Sequence, residues 1–497
     1  MLFNSYPFLF VFLPVTLLIF YGLRRIGRPD MCVPFLMLAS LAFYSYWRPA
    51  DLIVLLSTIV WNFIFAGYLA RRSGPLAKAM LTVAVAGDLG LLAYFKYFDF
   101  IVSNLASLFG YDYSPLGIRL PIGISFFTFT QIAYLVDCYR SREYEKKISN
   151  YGLFVTVFPH LIAGPIIHHA QMRPQFAKIV RERIDSRLVA LGVPILIIGL
   201  AKKVLLADNL AALADPVFNS ADKLVHLSAG SAWLGVVAYT LQIYFDFSGY
   251  SDMAVGLGLL FGLRLPVNFD SPYKSTSIIE FWRRWHITLS TWLRDYLYFS
   301  LGGNRSGDVR RLVNIAITML LGGIWHGAGW TFVVWGALHA TYIVANHLMR
   351  KVRPLDKNKQ VPRALGLLKW ALTMSLVMIA WVFFRAKSAS GAISLLESIA
   401  TFSGGSDGIR ALDVVDYFWL TLAAVLALFA SNTQEIFHYS EKLNDVPAMP
   451  KYSFFAWKNI SFSIPSASGA AAVFLGCLAA AVLASLWRPA IFIYFNF

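Results

Sequence analysis

The sequence predicts an all-α, polytopic membrane protein, and its composition, its recurring apolar runs and its charge distribution all point to that fold class. Of its 497 residues, 58% are hydrophobic and 14% are charged. This balance is typical of a chain whose solvent is mostly lipid. We therefore expect an integral membrane protein rather than a soluble domain.

Apolar runs close to the ~20 residues that a membrane-spanning helix needs recur along the chain. We expect about eleven or twelve transmembrane helices from the following runs: 8–23, 32–47, 52–70, 79–104, 118–138, 188–206, 230–247, 311–325, 329–348, 365–384, 414–431 and 468–487. Arg24 and Arg25 follow the first run without a small-residue cleavage site. We therefore expect the first helix to be retained rather than removed as a signal peptide.

The net charge of +16 is concentrated in short connections between the apolar runs. Cytoplasmic loops of membrane proteins carry such an excess of Lys and Arg, so the charge does not require a nucleic-acid partner. The basic clusters are 24–28, 71–78, 140–147, 173–187, 283–311 and 350–363, whereas 208–223 and 397–413 are neutral or acidic. Read in order, this pattern places both termini outside.

Two segments do not fit simple alternation across the membrane. Residues 151–167 have basic loops on both sides and contain Pro159, Gly164 and Pro165, which predicts a re-entrant element shielded by protein. Residues 248–310 are predicted to face a cytoplasmic cavity. Residues 388–402 have an amphipathic helical pattern, which suits either an interfacial helix or a plain surface connection. No internal repeat interrupts the chain, so we expect one transmembrane domain over 1–497.

His326 is the most informative single residue, because it lies between two apolar segments where an ionisable ring is costly. His286 lies forty residues earlier, in a stretch where basic and aromatic residues alternate. A neutral imidazole suits the removal of a hydroxyl proton, so His326 is our candidate general base. His286 suits three roles: orienting an acyl donor, polarising its carbonyl, or carrying a second proton. A buried structural histidine and an interfacial histidine are the respective alternatives.

The predicted substrate-binding set surrounds these histidines. It consists of Arg283, Arg284, Trp285, Arg294, Trp325 and Asp246. The arginine charges suit the phosphates of an acyl-CoA or the acidic surface of a carrier protein, although positive-inside topology explains the same charges without a ligand. We expect an arginine from the His286 stretch to pair with Asp246, since a bare acid in an apolar run needs a partner. No cysteine or histidine spacing predicts a metal site, and no cofactor fingerprint is present.

Three motifs resemble the membrane-bound O-acyltransferase family. They are Phe281–Tyr298, Leu301–Arg305 and Gly322–Gly327 followed by Trp330–His339. The likeness extends over essentially the whole chain, and within the family it is greatest to the membrane subunit of alginate O-acetyltransferases. The resemblance implies a ring of tilted helices around a thin centre, with cytoplasmic and outer funnels that meet near His326.

The same resemblance implies a bacterial inner-membrane enzyme that takes acetyl from cytoplasmic acetyl-CoA and delivers it for O-acetylation of an exported polysaccharide, alginate being the leading acceptor. Acetyl-CoA is then a substrate and not a bound cofactor, and separate periplasmic proteins complete the transfer. Relatives that transfer D-alanine from a carrier protein share both histidine motifs, so that acyl group stays open. A transporter or a scaffold of a polysaccharide complex is the non-enzyme alternative.

Four aromatic residues crowd the C-terminal motif Phe492–Phe497. Composition alone favours an interfacial anchor. In the family's D-alanyl system, however, a small helper peptide ends in a similar motif. The resemblance therefore suggests that Tyr494 accepts the acyl group as a transient carrier, because a phenol is also a good leaving group for a second transfer.

Overall fold

The computed structural model describes residues 1–352, 362–404, 408–410, 412–437, 439, 469–486 and 492–493. Within these ranges every regular element is a helix. The chain forms two compact units. Unit 1 contains Met1–Ile197 and Tyr250–Pro266, and unit 2 contains Ile198–Gly249 and Val267–Ile493.

The first ten helices belong wholly or mainly to unit 1. They are α1 (Leu13–Arg25), α2 (Cys32–Ser45), α3 (Asp51–Arg71), α4 (Gly74–Leu92), α5 (Phe98–Phe109), α6 (Ile124–Ser141), α7 (Ile148–Thr156), α8 (Phe158–Leu161), α9 (His169–Arg181) and α10 (Ser186–Ala201). The long helix α12 (Ala229–Leu260) runs through residues of both units.

The other helices belong to unit 2. They are α11 (Asp208–Asp222), α13 (Ile278–Arg284), α14 (Ile287–Trp292), α15 (Gly307–His326), α16 (Trp330–Val352), α17 (Arg363–Arg385), α18 (Ala389–Ala400), α19 (Val414–Leu428), α20 (Thr433–Phe437) and α21 (Gly469–Ser485). Short π-helical turns occur at Pro7–Phe12, Ala93–Tyr97, Lys202–Ala207 and Leu293–Tyr298.

Each of the predicted apolar runs overlaps a helix, which confirms the all-α membrane class. Six described helices are long and apolar enough to cross a membrane. They are Pro7–Arg25, Asp51–Arg71, Gly74–Phe109, Ser186–Asp222, Trp330–Val352 and Arg363–Arg385. Crossing by the remaining helices stays a prediction.

The predicted bounds were too short in two places. The run 188–206 continues through the π-helical turn Lys202–Ala207 into α11, so that the continuous helix ends at Asp222. The run 230–247 lies inside α12, which extends to Leu260 and thus includes the first part of the predicted cavity segment. In both places the helix continues through polar residues that are packed inside the protein. The sequence prediction ended each helix close to such residues and therefore placed its end too early.

The segment 151–167 is broken and buried, as the sequence predicts. Helix α7 ends at Thr156, and Val157 adopts ψ 115° before the short helix α8 begins. Pro159 occupies the first turn of α8, where its missing N–H costs no intrahelical hydrogen bond. All residues from 151 to 167 are buried. Their depth in a membrane stays a prediction.

Two glycines allow α15 and α16 to approach closely in unit 2. A Cβ atom on Gly323 would lie 2.5 Å from the carbonyl oxygen of Phe332, and one on Gly336 would lie 2.8 Å from that of Met319. Real Cβ atoms do not approach backbone that closely, so only glycine fits at either position without a shift. This close approach fixes the end of α15, where His326 lies.

Candidate active site

His286 lies between α13 and α14 and is fully buried. Its backbone adopts φ 43° and ψ 55°, the left-handed region that non-glycine residues rarely occupy. Such a conformation costs about 1–3 kcal/mol and persists only where the surroundings fix it. Asn268 supplies part of that constraint, since its backbone oxygen accepts the Ile287 N–H at 3.0 Å.

The Asn268 side chain fixes the tautomer of His286. Its Oδ1 accepts hydrogen bonds from the Thr288 backbone N–H at 3.3 Å and from Thr288 Oγ1 at 3.0 Å. Because the backbone N–H can only donate, this atom is the amide oxygen and not the amide nitrogen. His286 Nδ1 lies 3.0 Å from the same oxygen and must therefore donate to it. In the neutral ring Nε2 then carries the lone pair.

This lone pair is available for proton transfer. His286 Nε2 is buried and has no hydrogen-bond partner among the residues that the structure describes. Burial lowers the pKa of His286 to about 3, so the ring is neutral at physiological pH. A neutral imidazole with an unused acceptor nitrogen has the form that a general base requires.

His326 is the last residue of α15 and is 4% exposed. Gly327 continues in an extended conformation, which ends the helix directly after the histidine. Three aromatic rings contact the imidazole edge to face: Trp325 at 5.0 Å, Trp335 at 5.0 Å and Phe384 at 5.1 Å between centroids. Aromatic rings thus pack against the imidazole on several sides.

Trp325 lies between the two predicted histidines. Its ring centroid is 6.4 Å from that of His286 and 5.0 Å from that of His326. Residues forty positions apart in the sequence are therefore brought to one site in unit 2. The Trp325 indole lies next to both histidine rings, and Trp325 is one of the residues that the sequence predicted to bind substrate.

A third buried histidine, His339, lies near this site and was not predicted from the sequence. The indole nitrogen of Trp282 donates to His339 Nδ1 at 3.1 Å, so the neutral His339 ring carries its proton on Nε2. Trp335 contacts the rings of both His326 and His339, at 5.0 and 4.7 Å. His339 ends the Trp330–His339 motif, and its position inside an apolar run was the signal that could have revealed it.

The predicted substrate-binding residues occupy different environments. Arg283 and Arg294 are exposed, and Arg294 pairs with Asp295 at 2.7 Å. Arg284 is half-buried and pairs with Glu280 at 3.1 Å and Asp270 at 3.5 Å. Trp285 is buried and stacks on Phe281 with centroids 5.6 Å apart. Arg284 and Trp285 thus have structural contacts of their own, and the substrate contacts of all four residues stay predictions.

The predicted partner of Asp246 was wrong. Asp246 pairs with Lys203, whose Nζ lies 2.6 Å from Asp246 Oδ1 and 2.7 Å from Asp208 Oδ1. Lys203 is buried in the π-helical turn that joins α10 to α11, whereas the arginines next to His286 are exposed or bound to other acids. An ionisable residue within the run 188–206 was a usable signal that the sequence analysis did not follow.

The C-terminal motif reaches the same site through its two described residues. The Phe492 ring lies 5.9 Å from Phe247, and Phe247 contacts the His286 ring edge to face at 4.7 Å. The Ile493 backbone N–H donates to Asp246 Oδ2 at 2.9 Å. Tyr494 lies outside the described residues.

Comparison with known proteins identifies the class. Residues 91–386 match the model of the MBOAT, membrane-bound O-acyltransferase family. The matched range covers more than half of the chain and contains both histidines. The chain belongs to this family and is a membrane-bound acyltransferase, which confirms the predicted family and reaction class.

Individual relatives narrow the comparison. The chain is 40% identical over 438 residues to the peptidoglycan O-acetyltransferase of Helicobacter pylori, covering 82% of this chain and 81% of that protein. It is 44% identical over 410 residues to the probable alginate O-acetylase AlgI of Pseudomonas aeruginosa, covering 81% and 75%. It is 25% identical over 413 residues to the teichoic acid D-alanyltransferase of Streptococcus thermophilus, covering 76% and 93%.

Proposed function

We propose that this acyltransferase moves acetyl from cytoplasmic acetyl-CoA across the bacterial inner membrane for O-acetylation of an exported polysaccharide. The single observation that carries the proposal is the pair of buried histidines on either side of Trp325, one of which has a fixed acceptor nitrogen. Acetyl is favoured over D-alanine because the named acetyl-transferring relatives are 40–44% identical, against 25% for the D-alanyl relative.

Acyl transfer from a thioester to a hydroxyl removes a proton from the hydroxyl and adds a proton to the leaving thiolate. His326 accepts the proton of the attacking hydroxyl, whose oxygen forms a bond to the thioester carbonyl carbon. The carbon–sulfur bond then breaks, and the leaving thiolate takes up the proton. Of the three roles that the sequence left open for His286, its tautomer supports the second proton carrier. A neutral ring with an acceptor at Nε2 has no N–H there to polarise a carbonyl.

Replacement of each histidine by glutamine tests this assignment. Glutamine keeps a polar side chain but removes the proton acceptor, and loss of a general base costs about 10²- to 10⁴-fold in rate. The purified protein with its periplasmic partners would be given radiolabelled acetyl-CoA, and label in the polysaccharide would be counted. We expect His326→Gln to lose transfer by this factor and His286→Gln to lose it less severely.

His226→Gln is the matched control, because His226 is exposed on a loop outside the site. It should transfer acetyl at the wild-type rate. Near-normal transfer by His326→Gln at equal abundance would show that the catalytic assignment is wrong.

The acceptor is proposed to be alginate, as in the name of the 44% identical relative. The peptidoglycan relative supplies the competing outcome. Ester-linked acetate would be measured in purified exopolysaccharide and in purified peptidoglycan from cells with and without the gene. Loss of acetate from peptidoglycan alone would replace alginate by peptidoglycan and leave the acetyl-transfer proposal intact.

D-Alanyl transfer from a carrier protein is the second candidate, favoured only by the 25% identical relative that covers most of this chain. Parallel assays with D-alanyl carrier protein and acetyl-CoA distinguish the two donors. Transfer from the carrier protein alone would establish the alternative.

Tyr494 is proposed as the acyl carrier between the enzyme and its periplasmic partner. The two residues that precede it lie beside Phe247 and Asp246, next to His286, which supports this role. Tyr494→Phe deletes one oxygen and keeps the ring. We expect almost no acetylated polysaccharide from this variant, whereas an interfacial anchor would leave acetylation near normal. Acetyl on the C-terminal peptide should also be trapped by mass spectrometry when the partner is absent.

A further inference from the structure

The ion cluster of Lys203, Asp208 and Asp246 is unusual because two carboxyl groups share one ammonium group in a buried setting. The side chains of Lys203 and Asp246 are 4% and 1% exposed, and that of Asp208 is 14% exposed. A single ammonium cannot balance two carboxylates, and excess buried charge is costly unless further donors satisfy it. The cluster therefore requires additional hydrogen-bond donors.

The C-terminal segment supplies one of these donors. Asp246 uses both carboxylate oxygens: Oδ1 lies 2.6 Å from Lys203 Nζ, and Oδ2 accepts the Ile493 N–H at 2.9 Å. A hydrogen bond to an ionised acceptor is stronger than one between neutral groups. The last described residues of the chain are thus bound to a charge inside unit 2.

The same turn of α12 connects this contact to the histidine. Phe247 follows Asp246 directly, and its ring contacts both Phe492 and His286, with centroids 5.9 and 4.7 Å away. Phe492 and Ile493 are buried, at 1% and 8% exposure. Asp246 therefore binds the backbone of Ile493, while Phe247 packs between the rings of Phe492 and His286.

We propose that Asp246 is a positioning residue that fixes Phe492 and Ile493 beside Phe247 and His286, and that acetyl transfer depends on this contact. This inference rests on the proposed function, because it assigns the segment a part in acetyl transfer. It gives Asp246 a role through the segment rather than the contact with substrate that the sequence suggested. Lys203 in turn contacts the other carboxylate oxygen, Oδ1, and orients the group.

Ile493→Pro tests the contact without replacing any side chain of the ion cluster. Proline removes the backbone N–H and leaves Asp246, Lys203 and Asp208 unchanged. Ile493→Val is the matched control, since it keeps the N–H and a branched apolar side chain. Hydrogen–deuterium exchange of the peptide that follows Leu486 would be measured on detergent-purified protein, together with acetyl transfer to the polysaccharide.

We expect Ile493→Pro to increase exchange in this peptide and to lower acetyl transfer, each by about tenfold or more, because a buried hydrogen bond to a charge is lost. Acetyl-CoA affinity should stay within about twofold, since none of the arginines predicted to bind the donor is altered. Ile493→Val should match the wild type in all three measurements.

Asp246→Asn provides a second, independent test. Asparagine has one oxygen, so whichever way the amide faces, an NH₂ group meets either Lys203 Nζ or the Ile493 N–H. We expect the same rise in exchange and fall in transfer. Asp215→Asn controls for the loss of an ion-paired acid in unit 2, because Asp215 pairs with Arg385 at 2.6 Å, outside this cluster.

Unchanged exchange in both Ile493→Pro and Asp246→Asn would overturn the proposal. Raised exchange with normal acetyl transfer would overturn it as well, because the segment would then be held for a reason other than the reaction. If the wild type transfers no acetyl from acetyl-CoA, the proposed function is wrong, and the exchange comparison alone decides whether Asp246 holds the segment.

Discussion

At the scale of single residues, the position of the ring proton distinguishes His286 from His339. Asn268 fixes the proton of His286 on Nδ1, whereas Trp282 fixes that of His339 on Nε2. Both rings are fully buried in unit 2. Only His286 thereby presents its Nε2 as an acceptor, and so the two rings differ in chemistry although both are neutral histidines in aromatic surroundings.

Substitution of Asn268 tests the role of this tautomer. Asn268→Ala removes the acceptor for Nδ1–H, and the loss of one such hydrogen bond, about 1 kcal/mol, corresponds to a fall in transfer rate of roughly five- to tenfold. Asn268→Asp keeps an acceptor and should retain most of the rate at pH 8. Equal rates for Asn268→Ala and the wild type would show that the tautomer is not important for transfer.

The pH dependence of the same variants gives a further prediction. The pKa of His286 is lowered to about 3 by burial, so the ring stays neutral from pH 5 to pH 9. An aspartate at position 268 favours the imidazolium and raises this pKa. As the pH falls, Asn268→Asp should therefore lose activity at a higher pH than the wild type does. A pH profile of transfer rate that is identical in the two proteins would contradict the assignment of His286 as a proton carrier.

The sequence anticipated the histidines but not their partners. An ionisable ring in an apolar run is rare enough to be noticed without a structure, which is why His326 was found. His286 was found from the alternation of basic and aromatic residues around it. Asn268 lies 18 residues before its histidine, and Lys203 lies 43 residues before Asp246. Such pairs form when segments far apart in the sequence pack together, and neither periodicity nor composition contains that information.

At the scale of elements, helix positions followed from hydropathy, whereas helix ends did not. Each predicted run overlaps a helix. A helix that crosses lipid needs an apolar run of about 20 residues, and such runs are visible in the sequence. The extension of α12 to Leu260 could not be predicted, since its polar residues are buried among other helices. The break near Val157 was predictable because Pro159 lacks an N–H and has a fixed φ, so that a helix cannot continue through it unchanged.

The glycine contact between α15 and α16 carries a prediction of its own. Gly336→Ala would place a methyl group 2.8 Å from the Met319 carbonyl, so the two helices must separate. Overpacking of this kind costs about 1–3 kcal/mol. We expect a lower thermal unfolding temperature in detergent and reduced acetyl transfer, since His326 ends α15.

Gly90→Ala is the control for this substitution, because a Cβ atom there meets nothing within 4 Å. It should leave the unfolding temperature unchanged or slightly raised, as alanine is the better helix former. Equal unfolding temperatures for Gly336→Ala and the wild type would show that the helix contact tolerates a methyl group.

At the scale of the whole molecule, the charge distribution predicts which loops face the cytoplasm. The stretch 283–311 is basic and the stretch 208–223 is not, so the first should lie inside and the second outside. Single cysteines would be introduced for the exposed residues Asn304 and Lys223 after Cys32, Cys138 and Cys477 are replaced by serine. An impermeant maleimide would be added to cells whose outer membrane has been opened.

We expect labelling of Lys223→Cys in these cells and labelling of Asn304→Cys only after the inner membrane is disrupted, because the excess of Lys and Arg holds its loop on the cytoplasmic side. The reverse pattern would invert the orientation and place the arginines that are predicted to bind the donor on the wrong side for cytoplasmic acetyl-CoA, while the histidine site itself would be unaffected.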